Sequence, residues 1–158
     1  MTQTSPLSHR RTVRAVHHEE DTTSQGRAAR ALTLIAGVAF LVVGVVGFIV
    51  TGFRDFASHD SGHSLLGLEL NGLHNTAHVV FGIAGVLLWR TVRGARAFAA
   101  ILILGYAAVL AFGIVAEGED WNVLSINAAD NWLHLGLIVV GAVIAGLFYR
   151  ASHPTPLG

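Results

Sequence analysis

Four long apolar runs constrain this chain more than any other feature. They cover about Ala31–Val50, Leu73–Trp89, Ala97–Ala116 and Leu133–Tyr149, and none contains Pro, Asp, Glu or Arg. A helix crosses about 30 Å of hydrocarbon with roughly 20 apolar residues, in a range of ~17–25. All four runs fall in that window. A backbone in lipid must satisfy its own hydrogen bonds, and continuous apolar runs do so as helices, whereas barrel strands alternate. Of 158 residues, 53% are hydrophobic and 13% charged, against about 25% charged in a typical soluble domain. The sequence therefore predicts an all-α integral membrane four-helix bundle.

The polar segments divide the rest. Residues 1–26 hold a basic cluster (Arg10, Arg11, Arg14) and an acidic one (Glu19, Glu20, Asp21), and read as a disordered tail. Residues 27–150 form the membrane domain, and 151–158 a second short tail. The first apolar run starts too late and is too long for a cleaved signal peptide, so it reads as a retained anchor. Nine Arg lie in the N-terminal tail, in the loop between the second and third runs (Arg90, Arg93, Arg96) and at Arg150. The other two loops hold only Arg54, with Asp55, Asp60, Glu69, Glu117, Glu119, Asp120 and Asp130. The positive-inside rule then puts both termini in the cytoplasm and both acidic loops outside.

An internal repeat refines the architecture. Asn71, Leu73, His74, Trp89 and Arg90 recur as Asn131, Leu133, His134, Tyr149 and Arg150 at a constant offset of sixty residues. Arg27-Ala28-Ala29-Arg30-Ala31 recurs as Arg93-Gly94-Ala95-Arg96-Ala97, with Phe40 matching Tyr106 and Gly47 matching Gly113, at an offset of sixty-six. Two tandem helical hairpins of the same orientation account for both offsets. Helices in lipid associate through small residues. Gly37, Gly44, Gly47, Gly82, Gly85, Gly105, Gly113 and the pairs Gly141/Ala145 and Ala142/Gly146 are the expected packing positions. Trp89, Trp121, Trp132 and Tyr149 mark membrane boundaries. Leu65, Leu66, Leu68 and Leu70 suggest a short interfacial helix before the second span.

Chemistry-bearing residues gather at the outer ends. His74 and His78 share a helix face, and His78 lies one turn deeper. His134 falls at the depth of His74. Asn71, Asn75, Asp130 and Asn131 lie beside them in sequence. One reading is a structural polar cluster of Asn71, His74, Asn75, His78, Asp130, Asn131 and His134. In it Asn71 and Asn131 cap their helices, and the imidazoles bond backbone carbonyls across the hairpins. A second reading is a metal site of His74, His78 and His134, with Asp130 or Glu69 as a fourth ligand, suited to zinc or copper. A haem held by His74 and His134 is a variant of it. A third is proton or ion handling, but nothing polar continues below His78 except small residues.

Other functions lose support. The chain has no Cys, which excludes disulfides, thiol nucleophiles and Cys-ligated metals. No Walker loop, Gly-x-Ser-x-Gly or His-Glu-x-x-His occurs, so the chain reads as a non-enzyme. The basic tail suits lipid headgroups rather than nucleic acid.

Asn71-Gly-Leu-His-Asn-Thr-Ala-His78 and Asn127-Ala-Ala-Asp-Asn-Trp-Leu-His134 resemble an uncharacterised bacterial membrane family, domain of unknown function 4383. The resemblance covers roughly Ala31–Tyr149. It implies a four-span protein of the bacterial inner membrane and supplies no activity, substrate or cofactor. The expectation is a structural or accessory envelope protein, with the lipid bilayer as its surroundings and a second copy or another membrane protein as its partner. The alternative is a metal- or haem-binding redox protein.

Overall fold

The computed structural model describes residues 21–54 and 56–152. The first twenty residues of the N-terminal tail, Asp55 and residues 153–158 lie outside the described residues. The fold is all-α, with four helices among the described residues: α1 (Ser24–Thr51), α2 (Gly72–Leu88), α3 (Val92–Ala116) and α4 (Ala128–Ser152). Helices α1, α3 and α4 are long and apolar enough to cross a membrane. Helix α2 has 17 residues, about 25 Å at 1.5 Å per residue, which is the short end of the spanning range.

Local chemistry sets the helix ends. Thr23 starts α1 by accepting the Gly26 N–H at 2.9 Å, so the helix begins inside the segment expected to be a tail. Thr91 does the same for α3, accepting the Gly94 N–H at 3.0 Å. Each hydroxyl fills one of the donors that a first helical turn leaves unpaired. The tight turn between α2 and α3 needs Gly94, because a side chain there would strike the Leu88 carbonyl. Asp21 fastens the two hairpins together at this end, its Oδ1 accepting the Val92 N–H at 2.7 Å.

The helices pair as α1/α2 and α3/α4, and each pair packs internally far more than against the other. Both pairs are antiparallel. Gly37 meets Gly85 while Gly47 meets Asn75; Ala99 meets Gly141 while Gly113 meets Asn131. The core between them holds Phe40, Phe98, Leu102, Tyr106 and Ile144.

The expected short helix over Leu65–Leu70 is instead a β-hairpin. β1 (Ser64–Leu65) pairs antiparallel with β2 (Leu68–Glu69). Leu66 and Gly67 form the turn with φ of 55° and 86°, the signature of a two-residue type I′ connection. Two successive positive φ values cannot continue a helix.

Candidate functional site

The two long loops meet at one end of the bundle, and Asn71 is the residue that ties them. Its extended backbone ends the loop, and its Oδ1 accepts the His74 N–H at 2.8 Å, so it caps α2 as expected. Its Nδ2 donates to the Ser58 carbonyl at 2.9 Å and to the Val123 carbonyl at 2.8 Å. Both donors and the acceptor of one buried amide are thus used, on one helix and two loops. Ser125 adds a second tie by donating to the His59 carbonyl at 3.1 Å.

Helix α4 begins differently from its counterpart. Asn131 is not its cap. The helix starts one turn earlier, where Asn127 Oδ1 accepts the Asp130 N–H and Asp130 Oδ2 accepts the Asn127 N–H, both at 3.0 Å. This reciprocal pairing is a capping box in Asn/Asp form. Asp130 Oδ2 also accepts the Glu69 N–H at 3.2 Å, and Asn127 Nδ2 donates to the Gly67 carbonyl at 2.9 Å. The α4 start is thereby stitched to the β-hairpin of the first loop. Asn131 lies against Gly113 and donates to Glu117 Oε2 at 3.3 Å.

Asn75 is fully buried and donates to Thr51 Oγ1 at 2.9 Å. It fits because Gly47 faces it, where any side chain would collide with the amide. Glu69 takes part through its backbone: its N–H serves Asp130 and its carbonyl accepts from His74 Nδ1 at 3.1 Å. A carbonyl only accepts, so Nδ1 carries the proton there. The Glu69 side chain is exposed. It lines a surface cavity of about 320 Å³ with Asp60, Glu117, Glu119 and Asp120.

The three helix-borne imidazoles come together. His74, His78 and His134 are each at most 3% exposed. The His74 ring lies 4.7 Å from that of His78 and 6.0 Å from that of His134, between centroids. His78 stacks on Phe40 at 5.9 Å, Phe40 on Tyr106 at 5.7 Å, and Tyr106 meets His134 at 5.3 Å. The five rings form a closed circuit drawn from all four helices. Phe81 packs against two of its members, Phe40 and Tyr106. Among the described residues, no three His, Asp or Glu side chains are arranged to hold a metal ion. Two imidazoles are not satisfied within the chain. His78 Nδ1 and both nitrogens of His134 are buried without a hydrogen-bond partner. At His74 the carbonyl bond goes to its own preceding strand, where a bond across the hairpins was expected.

His59 and His63 stay in the first loop, His59 Nε2 lying 3.6 Å from Asp120 Oδ1 with both side chains well exposed. Sequence reasoning missed Asn127, Ser125 and Thr51. Asn127 had a signal in the Asn-x-x-Asp spacing. The other two act only through tertiary contacts.

Helix content, apolar spans and this internal ring circuit define a small all-α membrane protein with a buried polar cluster at one end. The chain belongs to the family described as Domain of unknown function (DUF4383), whose model matches residues 30–147. No curated protein and no solved structure matches it.

Proposed function

We propose that this is a four-span protein of the bacterial plasma membrane with both termini cytoplasmic and both acidic loops outside. Its role is structural or accessory, and the outer cluster fastens its two hairpins. The closed circuit His74–His78–Phe40–Tyr106–His134 carries this reading, because each hairpin supplies part of it and neither closes it alone. Aromatic pairs contribute about 0.5–1.5 kcal/mol each beyond their buried area. Lipid gives no hydrophobic drive between helices, so such contacts weigh more there. The repeat reading is supported by the same circuit: Phe40 touches Tyr106 and His74 touches His134, the pairs that the sequence offsets equate.

One experiment separates this from a metal or haem centre at His74, His78 and His134. Purified protein would be analysed for bound metals and for haem absorption, beside a His74→Ala/His134→Ala variant. The structural reading expects no stoichiometric metal or haem and a fall of several degrees in the thermal midpoint of the variant. Stoichiometric metal or haem that disappears in the variant would sink it. Orientation is tested by reporter fusions, with Gly62 and Gly118 expected outside and Gly94 and Gly158 inside.

A further inference from the structure

Arginines gather at the end of the bundle opposite the His cluster. Arg27 and Arg30 stand in the first turns of α1, Arg90, Arg93 and Arg96 at the turn from α2 into α3, and Arg150 near the end of α4. Among the described residues the one carboxylate at this end is Asp21, and its Oδ1 is taken by the Val92 N–H. Within the same residues none of the six guanidinium groups is paired with a carboxylate. All but Arg30 are exposed. The other end carries Asp60, Glu69, Glu117, Glu119 and Asp120 around its surface cavity. A chain of zero formal net charge is thus folded into a bundle with one basic and one acidic end.

Two of the cations are held by rings. Arg30 Cζ lies 6.0 Å from the Trp89 ring centroid, across the α1/α2 seam. Arg96 Cζ lies 4.9 Å from that of Phe148, across the α3/α4 seam. The sixty-six-residue offset equates Arg30 with Arg96, so each hairpin holds one cation in the same way. A guanidinium laid on a ring spends its face there and keeps the N–H donors at its edge. Arg30 gives one of them to the Asp21 carbonyl at 3.2 Å, and Arg96 gives none to the described residues. A fixed planar edge of free N–H groups matches two oxygens of a phosphodiester.

Exposed apolar surface begins beside each cation. Ile35 and Val38 follow Arg30 on α1, and Ile101 and Leu104 follow Arg96 on α3, at the same offset. All four lie within about 12 Å of their arginine along the helix axis at 1.5 Å per residue. Both helices are long and apolar enough to cross a membrane, so this surface faces acyl chains. The occupant that uses both parts has an anionic head and apolar tails. Inorganic phosphate lacks the tails, and a zwitterionic lipid carries a cation that the arginines repel.

We propose that the arginine end binds two anionic phospholipids, one per hairpin, with their phosphodiesters on Arg30 backed by Trp89 and on Arg96 backed by Phe148. This goes beyond the structural role of the His cluster and does not depend on it.

The test uses the full chain in nanodiscs of equal phosphatidylcholine and phosphatidylglycerol, with the lipids retained by the released protein counted by native mass spectrometry. Two phosphatidylglycerols per chain are expected, with phosphatidylcholine retained about tenfold less. Arg30→Gln and Arg96→Gln should each leave one, and the double variant none. Arg96→Lys keeps the charge without the planar fork and should weaken retention severalfold, as should Phe148→Leu, which removes the ring. Arg54→Gln, at the other end of α1, should leave the count at two. Helix content by circular dichroism checks each fold, and the exposed Arg96 carries the test if Arg30→Gln does not fold. Equal retention of the two lipids overturns the proposal, as does a count that Arg96→Gln leaves at two. Loss of both lipids from a folded Arg96→Gln overturns the assignment of one to each hairpin. Displacement of the lipids by excess inorganic phosphate also overturns it, because the site is then one for a soluble anion. None of these outcomes touches the structural reading, which rests on the thermal stability of the His-cluster variants.

Discussion

The two hairpins are built from spans of similar apolarity, yet their helices meet by different means. In α1/α2 the backbones touch: a Cβ at Gly85 would lie 2.6 Å from Gly37 Cα, and one at Gly37 would lie 2.8 Å from the Gly85 carbonyl carbon. Gly44 and Gly82 continue that close seam. In α3/α4 side chains intervene. Gly141 faces Ile103 and Leu102, and Gly146 faces nothing within 4 Å. Two tight solutions exist for helices in lipid, backbone against backbone or side chain into gap. The first hairpin uses one and the second mostly the other. The first therefore has less room to adjust.

The largest expected effect follows from that lack of room. Gly85→Val places two methyl groups against the Gly37 backbone, which has no rotamer to change. A loss of about 3 kcal/mol or more is expected, at or above the usual overpacking range. Gly141→Val meets mostly side chains, which can shift, and about 1–2 kcal/mol is expected. Thermal midpoints of the two variants in one detergent check this. Equal losses would erase the distinction between the hairpins.

The polar ends sharpen the same contrast. Asn71→Ala removes the α2 cap and two bonds to the loops. The cap contributes about 0.5–2 kcal/mol, and each of the two part-buried loop bonds about 0.5–1.5 kcal/mol, so roughly 2–4 kcal/mol is expected. Its counterpart in sequence, Asn131, makes one bond to the exposed Glu117, and Asn131→Ala should cost under about 1 kcal/mol. Asn127→Ala removes the actual α4 cap and is expected to fall between them, at about 1–2 kcal/mol. Chemical denaturation in mixed micelles would rank the three. Asn131→Ala more damaging than Asn127→Ala would contradict the capping geometry.

These same residues explain what the sequence disclosed. Apolar runs and capping residues are local signals, so helix number and the role of Asn71 were legible. The sixty-residue spacing of the two Asn-x-Leu-His strings and the shared helix face pointed to His74, His78 and His134 together, and their rings do lie close. The role of Asn131 was misread because the repeat equated it with Asn71, while the helix began a turn earlier at Asn127. The β-hairpin was misread because four Leu outweighed one Gly, although Gly67 sits where the turn needs a positive φ. The ring circuit was not legible. Phe40 and Tyr106 are ordinary apolar-face residues until four helices bring them between the imidazoles.

The smallest effect is expected at Gly146, and its smallness is informative. The sequence paired it with Ala142 as a packing position, but Ala142 is exposed and a Cβ at Gly146 would meet nothing within 4 Å. Gly is disfavoured inside a helix by roughly 0.5–1 kcal/mol relative to Ala, through backbone entropy. With no neighbour to offend, Gly146→Ala should leave stability unchanged or raise it by up to about 1 kcal/mol, while Gly37→Ala lowers it by about 1–3 kcal/mol. Thermal midpoints measured at several protein-to-detergent ratios decide the matter. A loss at Gly146 that grows as the protein is concentrated would mean that this open face of α4 is covered by a second copy. A loss independent of concentration would mean that the second hairpin packs more closely there than its side-chain contacts indicate.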